Sequence, residues 1–313
     1  MEKKKLGGAL CLLAAAVVWG FGFVAQDMGA AHVGGFTFQA CRTLLAALAL
    51  LLLWLVRDFC RKKKGTYVPI SQKERKYLLI GGPICGAILC VATCLQQLGI
   101  GNNTGSPGKE AFITALYIVI VPILSLAFGK RVKWHIYVCV AAALFGLWML
   151  CMSGSALTTG DIQVICCSLV FSCHIIAVDF FIPHVDGVRL SCIQFFTTCL
   201  GATVMMLILE EPQWSGIAAA GLAILYSGVM SAGAGYTLQI LGQKHTPATL
   251  ASLLMSLESV FAVVASAILL PEITSFTWRE VVGMVIIFAA IICSQLSFDF
   301  KKSPQTGGEN AEK

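Results

Sequence analysis

Charged residues are scarce in this sequence. Only 12% of its 313 residues are charged, whereas 58% are hydrophobic and the mean hydropathy is +0.83. An ordinary globular domain has about 25% charged and about 45–50% apolar residues, and a water-soluble chain needs more charge to cover its surface. The composition therefore excludes a soluble enzyme, a nucleic-acid-binding module and a disordered regulator. The net charge of +6 does not indicate nucleic acid, because the basic residues form short blocks between apolar runs.

The motifs of membrane enzymes and ATP-driven pumps are also missing. The sequence has no His-Glu-x-x-His, no Gly-x-Ser-x-Gly and no Gly-x-x-x-x-Gly-Lys-[Ser/Thr] phosphate loop. Its 14 cysteines contain no Cys-x-x-Cys pair, and most lie in apolar runs, which indicates packing residues. We therefore predict a protein that is not an enzyme and that uses no cofactor or metal. An intramembrane enzyme is kept as the least favoured alternative.

Long apolar runs dominate what is present. A bilayer core about 30 Å thick is crossed by about 20 apolar residues in a helix. Ten such runs occur, so we predict an all-α integral membrane protein with ten transmembrane helices. The predicted spans are 6–26, 34–56, 77–99, 109–128, 134–152, 161–182, 189–209, 217–241, 249–270 and 280–298.

The basic residues predict the orientation of these spans. If the N-terminus is cytoplasmic, 19 of the 22 Lys and Arg residues fall in cytoplasmic segments. Lys109 and Arg279 fall on the opposite side, and Arg42 lies within a span. Because Lys and Arg collect on the cytoplasmic side of membrane proteins, we predict an integral protein of the plasma (inner) membrane with both termini in the cytoplasm.

The two halves of the chain resemble each other. Five spans are an odd number, so the second half must enter the membrane from the opposite side. The sequence thus predicts two inverted-topology five-helix repeats, residues 1–153 and 154–300, followed by a cytoplasmic polar tail, 301–313. The matched positions are Trp19 with Phe171, Asp27 with Asp179, Arg42 with Gln194, and 95–99 with 238–242.

Several segments resemble one transporter family. Residues 19–23, Trp-Gly-Phe-Gly-Phe, resemble the first-helix motif of the drug/metabolite transporter superfamily, EamA type, with ten spans. Residues 249–272 are similar to its ninth-span signature, and 115–131 fit the first-half counterpart. The resemblance covers nearly the whole chain and implies secondary transport, often export of amino acids, other metabolites or toxic compounds. Ser259 stands where the family more often has proline, which implies a straighter ninth helix.

Glu258 is the sharpest candidate for a functional residue, since it lies about ten residues into the ninth span. An ionisable side chain at the centre of a membrane helix costs about 2.5–3.5 kcal/mol on insertion scales. We hypothesise that Glu258 exchanges a proton during transport or orders a central cavity. The alternative is a hydrogen-bonded glutamate that only ties helices together.

Other polar and aromatic residues inside the spans are candidates for binding a solute. Arg42, with Gln39 on the same helix face, has the chemistry to clamp a carboxylate, although a structural pairing is the alternative. A lone histidine is more often a hydrogen-bonded helix contact than a metal ligand. Aromatic rings offer a solute an apolar face and a polar tip, with simple packing as the alternative. The candidate substrate-binding residues are Trp19, Gln39, Arg42, Tyr117, His174, Gln194, Tyr226 and Tyr236.

These observations lead to one principal hypothesis. The protein is predicted to be a secondary transporter that exports a small solute by alternating access, with protons as the hypothesised coupling ion. An importer or exchanger on the same fold is the alternative. The predicted partners are the solute, the lipid bilayer and protons, with no nucleic acid. The sequence does not fix the oligomeric state.

Overall fold

The protein is described here by a computed structural model, which covers residues 2–102, 107–130, 132–151, 158–270 and 278–296. Within these ranges all regular structure is helical, and we number the helices by membrane span. The bounds are α1 Glu2–Ala30, α2 Gly35–Lys63, α3 Gln72–Asn102, α4 Pro107–Thr114 with Tyr117–Ala127, α5 Trp134–Cys151, α6 Thr159–Phe181, α7 Gly187–Leu209, α8 214–243, α9 Ala248–Met255 with Glu258–Leu269, and α10 Trp278–Leu296.

Most of these helices have the length and composition of a membrane span. Among the described residues, seven helices are long and apolar enough to cross a membrane. The helices α5 and α10 contain shorter apolar stretches, Trp134–Gly146 and Val281–Cys293. The predicted all-α membrane fold is therefore confirmed. The predicted tail, 301–313, lies outside the described residues.

The helices pack in pairs that correspond between the two halves. The contact of α3 with α6 matches that of α8 with α1, and the contact of α4 with α6 matches that of α9 with α1. The helices α2 and α7, α4 and α9, and α5 and α10 each pack on their own counterpart. This pattern is that of a pseudo-two-fold axis in the membrane plane. The prediction of two inverted five-helix repeats is confirmed.

The helices α4 and α9 are both interrupted near the middle, at 115–116 and at 256–257. In α9 the Ser256 hydroxyl donates to the Leu253 carbonyl at 2.8 Å, and the Ser259 hydroxyl donates to the Ser256 carbonyl at 2.7 Å. Hydroxyls that bond back to the preceding turn compete with the helical hydrogen bonds and often bend helices. The ninth helix is therefore interrupted although residue 259 is serine rather than proline.

The helix α8, which contains the predicted span 217–241, is not a regular α-helix throughout. It contains a ten-residue π-helix, Tyr226–Gly235, between shorter α-helical pieces. Trp19 Nε1 donates to the Ser231 carbonyl at 3.1 Å, and the Tyr226 hydroxyl donates to the Val18 carbonyl at 3.1 Å. Because π segments are rare and frequently accompany functional sites, this one marks the contact between α8 and α1 as a place to look for function.

Gly20 lets α1 approach α9 closely. A Cβ atom at Gly20 would lie 2.4 Å from the Cβ and 2.7 Å from the carbonyl carbon of Phe261. A side chain at position 20 would therefore force the backbone of α1 or α9 to shift. A glycine at this position therefore holds the two repeats together at short range, as small residues commonly do between membrane helices.

We expect the Gly20→Ala variant to be less stable than the natural protein, because overpacking costs about 1–3 kcal/mol. Gly7→Ala is the matched control on the same helix, since no atom of the other described helices lies within 4 Å of a Cβ built there. Melting temperatures in detergent, measured by scanning fluorimetry, test this expectation. Equal melting temperatures for the two variants would contradict the close contact between α1 and α9.

Candidate functional site

Glu258 and Tyr117 meet at the centre of the molecule. Each is the first residue after the break in its helix, α9 for Glu258 and α4 for Tyr117. The Tyr117 hydroxyl donates to Oε1 of Glu258 at 2.8 Å, and both side chains are buried. The hydrogen bond therefore joins matching positions of the two repeats. Both residues were candidates from the sequence, but their contact was not predicted.

Arg42 lies in α2, 3% exposed, with neutral partners. Its Nε donates to Oε1 of Gln39 at 2.6 Å, and its Nη1 donates to Oε1 of Gln26 at 2.6 Å. The predicted proximity of Gln39 is confirmed. Among the described residues, no carboxylate lies within 4 Å of this guanidinium, and no hydrogen bond involves Nη2. Arg42 is therefore a buried cation that the protein holds with amide oxygens.

Tyr236 is the centre of an aromatic cluster. Its ring centroid lies 4.9 Å from that of Trp19, 5.5 Å from Phe195, 6.0 Å from His174 and 6.3 Å from Phe171. These rings belong to α1, α6 and α7, so both repeats contribute. Phe171 and Phe195 were not predicted as site residues. The match of Phe171 with Trp19 in the repeat was a signal for the first, whereas no sequence signal identified Phe195.

His174 and Gln194 add polar atoms beside this cluster. Nε2 of His174 lies 3.3 Å from Oε1 of Gln194, and both side chains are fully buried. Within the part of the chain that the structure describes, Nδ1 of His174 and Nε2 of Gln194 make no hydrogen bond. A buried polar atom without a hydrogen-bond partner costs about 1–3 kcal/mol. A bound molecule that forms hydrogen bonds with these two atoms would remove that cost.

The two charged candidates, Arg42 and Glu258, border one central region. The Tyr236 hydroxyl and the Cys167 thiol each lie within electrostatic range of both Arg42 and Glu258. Seven of the eight predicted binding residues thus belong to this central region, six of them through Arg42, Glu258 or Tyr236 and Gln194 through its contact with His174. Tyr226 is the exception, because its hydroxyl bonds to the Val18 carbonyl at the far end of the π-helix.

The chemistry of this central region is that of hydrogen bonding and proton exchange. It contains a guanidinium, amides, phenols, an imidazole and one carboxyl group. Among the described residues, no three His, Cys, Asp or Glu side chains are arranged to hold a metal ion. The arrangement can orient a small polar solute between the repeats, and Glu258 can take up or release a proton.

A network of ion pairs lies at the end of the bundle where α1 begins, which we call the N-terminal face. Arg189 pairs with Asp58 at 3.0 Å and with Glu74 at 3.2 Å, and Arg57 pairs with Asp186 at 2.8 Å. The Arg189 side chain is only 5% exposed. The network joins α2 and α3 of the first repeat to α7 of the second.

Polar contacts also join the repeats at the opposite face. Glu210, at the end of α7, accepts hydrogen bonds from the backbone N–H groups of Phe36 and Thr37 at 2.9 and 2.7 Å, and so caps α2. Lys109 of α4 pairs with Asp161 of α6 at 2.9 Å. Both faces are therefore held by contacts between the first and second repeats.

Known proteins share this architecture. The EamA-like transporter family matches residues 6–152 and 158–295. An uncharacterized transporter from Archaeoglobus fulgidus is 25% identical over 295 residues, which are 94% of this chain and 87% of that protein. A crystal structure of a protein with 14% identity has a TM-score of 0.71 and covers 93% of this chain and 96% of its own, which shows the fold alone. Because the family matches both halves and most of the sequence, the chain belongs to the EamA-like transporter family and is a membrane transporter.

Proposed function

We propose that this transporter exports a small polar metabolite by alternating access and that Glu258 carries the coupling proton. The observation that supports this most is the buried hydrogen bond from Tyr117 to Glu258, at 2.8 Å, between matching positions of the two repeats. Because this hydrogen bond joins the two repeats, a movement of one repeat against the other changes the surroundings of the carboxyl group. Its environment, and therefore its affinity for a proton, depends on which face of the protein is open.

The contacts at the two faces support alternating access. Inverted-repeat transporters work largely by rocking one half against the other around a central site. Opening the N-terminal face requires separation of contacts such as that of Arg189 with Asp58. Opening the other face requires separation of Glu210 from α2 and of Lys109 from Asp161. Since α2 and α7 take part at both ends, opening at one face favours closure at the other.

The proposed direction follows from the family and from the charge bias. The bias of the basic segments supports an N-terminal face on the cytoplasmic side of the plasma (inner) membrane, and members of the family often export metabolites. An exporter coupled to protons exchanges an outgoing solute for an incoming proton. The alternative, an importer or exchanger, predicts a different response to a pH gradient.

We expect a pH gradient to drive solute flux through the purified protein. A metabolite that raises the melting temperature in a screen is tested for uptake into proteoliposomes. Under the proposal, an acidic lumen accelerates uptake about fivefold, because protons leave as the solute enters. If an acidic external solution accelerates uptake instead, the result would support import of the solute together with protons. The absence of any response to the gradient would contradict proton coupling.

A further inference from the structure

Arg42 presents a charge that its described surroundings do not balance. A guanidinium has five N–H donors, and two of its nitrogens bond to the amide oxygens of Gln39 and Gln26. No carboxylate among the described residues lies within 4 Å. A buried charge without a counter-ion is costly, so its retention needs a reason. A purely structural tie between α1 and α2 would not require a permanently charged side chain.

Three groups of the central region, one of them Arg42 itself, have unused hydrogen-bonding capacity of one kind. Nη2 of Arg42 makes no hydrogen bond to the described residues, and neither does the Tyr236 hydroxyl, which lies within electrostatic range of Arg42. Nε2 of Gln194, fully buried, has no partner among them either. All three atoms are donors. Gln194 lies 3.3 Å from His174, whose ring centroid lies 6.0 Å from that of Tyr236. Three donors in one region, one of them a cation, are suited to an anion with several acceptor lone pairs.

We propose that Arg42, Tyr236 and Gln194 form the binding site for the carboxylate group of the transported solute, so that the protein selects organic acids. This inference rests on the proposed function, because it names the class of solute that the central site takes. A carboxylate accepts two parallel hydrogen bonds from a guanidinium, which gives both charge compensation and a fixed orientation. The aromatic cluster around Tyr236 then receives the apolar body of the solute.

The geometry explains why both repeats contribute to the selection. Arg42 and Gln194 occupy matching positions of α2 and α7, which pack on each other across the pseudo-two-fold axis. The first repeat supplies the cation and the second supplies an uncharged donor. The site is therefore asymmetric in charge although its scaffold is symmetric, and an anion binds closer to the first repeat.

The test measures binding of matched acids and amides to the purified protein in detergent at neutral pH. The probes are acetate with acetamide, benzoate with benzamide, and phenylacetate with phenylacetamide. In at least one pair the acid binds about tenfold more tightly than the amide, because only the acid neutralises Arg42. The proposal is overturned if no acid binds more tightly than its amide. Isothermal titration calorimetry and the melting temperature give two independent readings.

Variants then locate the preference. Arg42→Lys keeps the charge and loses the planar pair of donors, so the ratio of acid to amide affinity falls about fivefold; Tyr236→Phe keeps the ring and loses the hydroxyl, with about a threefold fall. Arg61→Gln, which removes an exposed cation of the N-terminal face, is the control for non-specific anion binding. An unchanged ratio in the Arg42 and Tyr236 variants, or an equal fall in the Arg61 variant, overturns the proposal.

This binding test is separate from the test of proton coupling, since it uses neither a membrane nor a gradient. If acids bind selectively but a pH gradient does not drive their flux, the proposed coupling fails and the carboxylate site stands. If an uncharged solute is transported with protons and acids show no preference, the coupling stands and the carboxylate site is wrong.

Discussion

We expect the Glu258→Gln variant to lose at least about tenfold of the transport that a pH gradient drives, while it keeps exchange of solute for solute. Glutamine has nearly the same shape and can still accept the hydrogen bond from Tyr117. It cannot, however, take up or release a proton. The repeats can therefore still rock around a bound solute, but the movement is no longer linked to the gradient. Flux and counterflow in the same proteoliposomes measure the two activities.

The control for this prediction is Glu211→Gln, which makes the same chemical change at an exposed position beside the end of α7. Its driven flux and its exchange should both equal those of the natural protein. Two results would count against the coupling role of Glu258. Driven flux that survives in Glu258→Gln shows that the proton travels elsewhere, and a parallel loss of exchange shows that the glutamate only holds the helices together.

The Arg189→Gln variant should lose about 2 kcal/mol of stability. Arg189 pairs with Asp58 and Glu74, and its side chain is 5% exposed. Removal of one partner of a buried ion pair costs about 3–5 kcal/mol because the remaining charges lose their compensation. Asp58 and Glu74 are 15% and 21% exposed, so water partly replaces the lost partner and the expected cost is smaller.

Arg61→Gln provides the comparison for Arg189→Gln, since Arg61 is an exposed cation of the same face. It should change the stability by less than about 0.5 kcal/mol. Reversible unfolding in detergent, followed by circular dichroism, gives both values. If the two variants are equally stable, the contacts of Arg189 with α2 and α3 do not hold this face closed.

Features that depend on composition and on local spacing could be predicted from the sequence. Apolar runs predicted the membrane helices, and matched positions in the halves predicted the inverted repeat. The contact of Arg42 with Gln39 also followed, because residues three apart share a helix face. In each case the information lies within one helix or in the comparison of one half with the other.

Features that depend on packing between helices could not be predicted. The hydrogen bond from Tyr117 to Glu258 joins residues separated by 141 positions, and it forms because two interrupted helices meet at the pseudo-two-fold axis. The π-helix Tyr226–Gly235 has no distinct residue pattern, and the hydrogen bond that its Ser231 carbonyl accepts from Trp19 depends on the packing of α1 against α8. The place of Phe195 in the aromatic cluster depends likewise on the packing of α7 against Tyr236.

The most direct test of the account is the side of the membrane on which two matching loops lie. An epitope is inserted after Gly101, at the end of α3, and in a second full-length variant after Lys244, at the end of α8. Antibody binding is compared in intact and permeabilised cells. We predict that intact cells bind antibody at the first position, whereas the second is reached only after permeabilisation. Exposure of both epitopes on one side would contradict the inverted repeat and, with it, a shared central site.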